Sequence, residues 1–129
     1  MQIGIPTETT AGENRVAATP ETVKKLTSAG HTVVVQRGAG VKAAYVDSAY
    51  EQVGAKITDN AYQGSQIVLK VRAPSGDEIS QLEANSIVVA MFDPYRNPEL
   101  DTFAAQNVSA FALELFAQSG VELIKYSDL

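Results

Sequence analysis

The chain contains no cysteine, no tryptophan and a single histidine, His31. The first absence removes disulfide frameworks, thiolate metal sites and cysteine nucleophiles together. One imidazole cannot build a multi-histidine metal centre, and only carboxylate sites for magnesium or calcium stay open. Positive charge is scarce as well: 10 lysines and arginines stand against 15 aspartates and glutamates, a net charge of −5. Neither a nucleic acid nor an anionic membrane surface is therefore expected as the main partner. Long apolar runs are missing. No stretch approaches the roughly 20 residues that cross a bilayer, and Met1-Gln2-Ile3-Gly4-Ile5-Pro6 lacks the basic and then apolar stretch of an export signal. The expectation is a cytoplasmic chain without direct membrane insertion.

What is present is an ordinary globular balance, 45% hydrophobic and 19% charged over 129 residues, enough for one domain with its own core. Short β-branched runs recur at Gln2–Ile5, Thr32–Gln36, Gln66–Val71, Ser86–Phe92 and Val108–Leu115. They are continuously apolar where a one-sided sheet would alternate, which predicts parallel strands buried on both faces. Helical punctuation lies between them. Thr19 is placed as an N-cap and Pro20 at the first helical position, Val23 and Leu26 share a face, and Gly30 closes that helix. Further helices are predicted at Asp47–Val53, at Ser75–Leu82 with Asp77 and Glu78 in the first turn, and from Asn97-Pro98-Glu99 to Asn107 with Leu100, Phe103 and Ala104 inward. Strand and helix alternate, so the fold class is α/β: a three-layer, Rossmann-like (flavodoxin-like) domain with a mainly parallel sheet of about five strands. Residues 116–129 read as a short terminal helix or a frayed tail.

Several residues are candidates for chemistry. Gly38-Ala39-Gly40-Val41-Lys42-Ala43 has the shape G-x-G-x-x-A after a strand, with Asp59 about twenty residues on, the spacing of a dinucleotide fingerprint. It follows the second strand, however, and a tight strand-exit loop needing glycine explains it equally. Arg15 follows the first strand, at the carboxyl end where open parallel sheets place ligands, and can grip a carboxylate through two parallel hydrogen bonds or pair with Glu8 or Glu13. Lys70 sits in an apolar run. There it is costly unless paired or poised over a cleft, where it could share a cationic pocket with Arg15; the alternative is a snorkelling lysine. His31 reads as a helix-terminal residue, and Asp93 and Tyr95 as a turn or a polar contact.

Gly4-Ile5-Pro6-Thr7-Glu8 followed by Glu13-Asn14-Arg15-Val16-Ala17-Ala18-Thr19-Pro20 resembles the start of the alanine dehydrogenase and pyridine nucleotide transhydrogenase family. Gly38-Ala39-Gly40, Gly54-Ala55 and Ile67-Val68-Leu69-Lys70-Val71-x-Ala73-Pro74 extend the resemblance over about residues 1–115, leaving 116–129 as a divergent or truncated tail. The resemblance implies that Arg15 and Lys70 face an interdomain cleft, where alanine dehydrogenases hold the substrate carboxylate and carbonyl. Those enzymes also use a histidine after the fourth strand, and here Asp93-Pro94-Tyr95-Arg96-Asn97-Pro98-Glu99-Leu100 has none. That segment looks instead like the alpha subunit of proton-translocating NAD(P) transhydrogenase.

The resemblance further implies a second, Rossmann domain that binds NAD(H), an NADP-binding component and a membrane component as partners, and a homodimer. It places the complex at the cytoplasmic face of the bacterial inner membrane. No catalytic, metal or cofactor-binding residue is then expected within these residues, with Gly38 and Gly40 the alternative cofactor contacts. The chain by itself is expected to be an inactive half-enzyme. Two other functions stay open: an alanine dehydrogenase-like substrate domain, and a non-catalytic ligand-binding or scaffold module.

Overall fold

The computed structural model describes residues 1–91 and 107–112. The β-branched runs form β1 (Gln2–Ile5), β2 (Thr32–Gln36), β4 (Ile67–Arg72), β5 (Ile87–Met91) and β6 (Ser109–Ala112). A further strand, β3 (Lys56–Thr58), makes the sheet six-stranded, one more than the apolar runs indicate. Its sequence is Lys-Ile-Thr, too short and polar to register as a buried run. As an edge strand it needs only one neighbour, and it pairs Val34 with Lys56, Val35 with Ile57 and Gln36 with Thr58.

All pairings are parallel, and the order β3-β2-β1-β4-β5-β6 is the doubly wound Rossmann order. The chain reverses direction across the sheet between β1 and β4. There the strands share only the Ile3–Ile67 and Gly4–Val68 pairs, so their carboxyl ends diverge.

Burial on both sides follows from the alternation of side chains along each strand. On one face Ile5, Val33 and Val35 pack beneath Val23 of α1 (Pro20–Ser28) and Tyr50 of α2 (Asp47–Glu51). On the other, Val68, Val88 and Ala90 pack against Tyr62, Leu82 and Ile79, the last from α3 (Gly76–Ile79). Tyr50 is fully buried, and its hydroxyl donates to the Ala18 carbonyl at 2.8 Å. Burial, first of all, pushes this phenol up to about 12.

Helix α1 is capped as its sequence specifies. Thr19 Oγ1 accepts from the Thr22 amide at 3.2 Å, Pro20 is the first helical residue, and Gly30 turns the chain with φ +94°. Thr19→Ala is expected to cost about 1 kcal/mol, read as a lowered urea midpoint with an unchanged slope. The expected helix over Ser75–Leu82 is shorter, Gly76–Ile79, because the chain tightens into bonds from Gln81 to Glu78 and from Leu82 to Ile79, which carry Leu82 into the core. The expected helix from Asn97 through Leu100, Phe103 and Ala104, together with Asp93, Tyr95 and the tail 116–129, lies outside the described residues.

Candidate functional site

Diverging carboxyl ends leave backbone amides without ladder partners, and the register between β4 and β5 also shifts between Leu69 and Arg72. Buried amides must find acceptors, and the loop that follows β1 supplies them. Glu8 Oε2 accepts from the Val71 amide and Oε1 from the Arg72 amide, both at 3.0 Å. Glu8 is buried. The last residue of the Gly4-Ile5-Pro6-Thr7-Glu8 motif therefore stitches the β1–α1 loop onto β4 at the point where the chain order reverses.

Lys70 projects from the same end of β4 and is only 3% exposed. Its Nζ donates to Glu78 Oε2 at 2.9 Å and lies 3.5 Å from Glu8 Oε1. Glu78 comes from the capping box of α3, in which Ser75 Oγ accepts from the Glu78 amide and Glu78 Oε1 accepts from the Ser75 amide. Thr9 Oγ1 donates to the same oxygen at 3.1 Å, and the Tyr62 hydroxyl donates to Oε2 at 2.8 Å. Burial pushes the Glu78 carboxyl up, but the Ser75 amide, Lys70 and Tyr62 together outweigh it and hold the group below the ordinary carboxylate range. Tyr62 is pushed up, first by burial and then by its bond to Glu78.

Arg15 is gripped by Glu13. Its Nε donates to Oε2 at 2.9 Å and its Nη2 to Oε1 at 2.8 Å, and its amide also donates to Oε2. Arg72 Nε donates to the same Oε1 at 3.0 Å. The Glu13 side chain is 5% exposed, against 60% for Arg15 and 52% for Arg72. The Arg15 side chain, then its amide, and also Arg72 hold the Glu13 carboxyl far below its usual range.

Arg15 and Lys70 therefore reach the same edge of the sheet, but among the described residues each is paired with its own carboxylate and they do not open into one cationic pocket. Lys70 lies beneath the surface between two carboxylates and does not snorkel to water. Arg15 is half outside, with the fork that could grip a ligand carboxylate closed on Glu13. Three carboxylates, Glu8, Glu13 and Glu78, face three cations, Arg15, Lys70 and Arg72. The sequence offered Glu78 in the first turn of a helix and the pairing of Arg15 with Glu8 or Glu13. It had no signal for Glu78 meeting Lys70, or for Arg72 meeting Glu13 across 59 residues.

The glycine loop has its own geometry. Gly38 has φ +78°, and its amide donates to Asp47 Oδ1 at 2.9 Å. A Cβ on Gly40 would stand 2.7 Å from the Tyr50 ring, so this glycine allows a close approach. Val41–Ala43 forms one turn of 3-10 helix and no long helix whose amides could cradle a pyrophosphate. Asp59 pairs with Arg37 at 3.0 Å at the sheet edge. His31 precedes β2, at the amino end of the parallel sheet, opposite the edge that carries Arg15 and Lys70. Among the described residues no group of three His, Asp or Glu side chains is arranged to hold a metal, and no helix is long and apolar enough to cross a membrane.

Two depressed carboxylates set the expected acid response. A carboxyl held below its unfolded value adds stability above that value, and the contribution disappears as pH falls through the folded one. Unfolding midpoints in urea are expected to be flat from pH 7 to about 5 and to fall steadily below about 4. The acid limb should be shallower in Glu78→Gln. A midpoint unchanged down to pH 2.5 would contradict the assigned pairing.

A parallel doubly wound sheet with a charged cluster at its switch point defines a Rossmann-like domain of the kind that ends its strands at a ligand cleft. The chain belongs to the family described as alanine dehydrogenase/PNT, N-terminal domain, which it matches over residues 4–126. It is 38% identical over 116 residues to NAD(P) transhydrogenase subunit alpha of Haemophilus influenzae, covering 88% of this chain and 23% of that one. Alanine dehydrogenase 1 of Staphylococcus aureus is 39% identical over 90 residues, covering 68% of this chain and 24% of that one. The crystal structure of transhydrogenase from Sinorhizobium meliloti superposes with a TM-score of 0.86 at 38% identity, covering 89% of this chain and 34% of that one. The chain thus spans about a quarter to a third of the relatives it matches, which are oxidoreductases by name.

Proposed function

We propose that this chain is the N-terminal lobe of a transhydrogenase alpha subunit, part of an enzyme that passes hydride between NADH and NADP⁺ while protons cross a membrane. The observation that carries this over alanine dehydrogenase is the position of the only histidine. His31 stands at the amino end of the sheet, leaving no imidazole to act as general acid or base beside Arg15 and Lys70 at the carboxyl end. Lys70, closed between Glu78 and Glu8, also offers no free ammonium to a substrate carbonyl.

In this reading the lobe forms one wall of the cleft. NAD(H) is held by a second, Rossmann domain like that of the longer relatives, and the NADP-binding and membrane components complete the enzyme at the cytoplasmic face. Arg15 and Lys70 stay where the family places its cleft residues but grip no amino acid. Gly38 and Gly40 serve the fold, the first as a left-handed turn and the second as a close contact with Tyr50.

Two experiments test this. A chimera in which the chain replaces the matching N-terminal span of the Haemophilus influenzae alpha subunit is expected to retain NADH-to-NADP⁺ hydride transfer, whereas the same exchange in the Staphylococcus aureus alanine dehydrogenase should abolish alanine oxidation. The chain alone is expected to bind no NADH up to about millimolar, less than roughly 4 kcal/mol of affinity. Micromolar NADH binding with amide shifts at Gly38–Ala43 would reverse the assignment of the glycine loop. Alanine oxidation by the second chimera would favour the dehydrogenase.

A further inference from the structure

We propose that Arg15 and Arg72 form a paired-guanidinium site for a tetrahedral oxyanion, a phosphate or phosphoryl group, at the carboxyl edge of the sheet. Both side chains converge on one atom, Glu13 Oε1, with Arg15 Nη2 at 2.8 Å and Arg72 Nε at 3.0 Å, so the two forks are neighbours although 57 positions separate them in the chain. Their shared carboxylate is buried beneath them, while each arginine is more than half exposed. Both guanidiniums stand exposed on a chain whose overall charge is −5.

The donor inventory selects the ligand. Arg15 spends Nε and Nη2 on Glu13, and Arg72 spends only Nε, so both of its Nη groups are without a partner among the described residues. A carboxylate has two oxygens and is satisfied by a single fork. A tetrahedral oxyanion presents further oxygens and can be held by two guanidiniums at once. Lys70 takes no part, since it is buried and paired. The inference does not depend on the hydride-transfer assignment.

The test is an NMR titration of the full chain with sodium phosphate at constant ionic strength, following the arginine Nε–Hε signals. Saturable shifts at Arg15 and Arg72 are expected in the millimolar range, with sodium malonate weaker by roughly fivefold or more. Arg72→Gln should weaken phosphate binding by roughly tenfold, and Arg72→Lys, which keeps the charge and loses the fork, by several-fold. Amide spectra of both variants separate a lost site from a lost fold. Phosphate affinity unchanged in the two folded variants, or the same shifts on adding sodium chloride at equal ionic strength, overturns the proposal. Malonate binding as tightly as phosphate overturns its tetrahedral selectivity.

Discussion

Replacing Lys70 by methionine is expected to destabilise the fold by about 3–5 kcal/mol, the loss typical of removing one member of a buried ionic network. The Glu8 and Glu78 side chains are 2% and 10% exposed and both lie within 3.5 Å of the Lys70 ammonium. Without it, two carboxylates are left facing one another out of water. Methionine matches the length of the lysine stem, so packing against the neighbouring core is largely kept and the effect isolates the charge. The double substitution Lys70→Met with Glu78→Gln should recover part of the loss, because one buried anion is then neutral while the glutamine oxygen can still accept from the Ser75 amide. Urea unfolding of the two variants decides the matter. A loss under about 1 kcal/mol for Lys70→Met would show that Lys70 reaches water and is not sealed by its partners.

The second large effect is steric. A Cβ on Gly4 would overlap the Ala61 carbonyl oxygen and stand 2.5 Å from Ser65 Oγ. Ala61 belongs to the backbone crossing from β3 to β4 that lies against β1, and its carbonyl already accepts from Ser65 Oγ at 2.6 Å. The collision is with main chain, which cannot swing aside as the end of a flexible side chain would. Gly4→Ala is therefore expected to cost about 3 kcal/mol or more, the upper end for overpacking, and to increase exposure of the neighbouring Tyr62, which is 3% exposed. Tyr62 in turn holds Glu78, so the damage reaches the charged cluster. Tyrosine fluorescence and a lowered thermal midpoint read it. A soluble variant with an unchanged midpoint would mean that the crossing can lift off β1 at little cost.

These two positions divide what each level of description contributed. By itself the sequence determined the class of fold, because continuous β-branched runs between capped helical segments can satisfy their hydrophobicity only as a parallel sheet covered on both faces. It also fixed the start of α1, since Thr19-Pro20 acts through local backbone chemistry. Its motif spacing was specific enough to identify the family. Edge strand β3 is not legible in the sequence because three residues paired on one side carry almost no pattern of their own.

The state of the site was decided only by tertiary structure. Whether a buried-strand lysine is free, snorkelling or paired depends on what stands opposite it, and Glu78 arrives from α3 while Glu8 arrives from the loop after β1. Glu13 joins Arg15, two residues away, to Arg72, which is distant in sequence. Gly40 has the sequence setting of a phosphate-loop glycine, whereas the fold sets the Tyr50 ring 2.7 Å from where its Cβ would stand. Local signals report propensities of contiguous residues, whereas charge neutralisation and close packing are set by distances between residues that the chain brings together only when the sheet has formed.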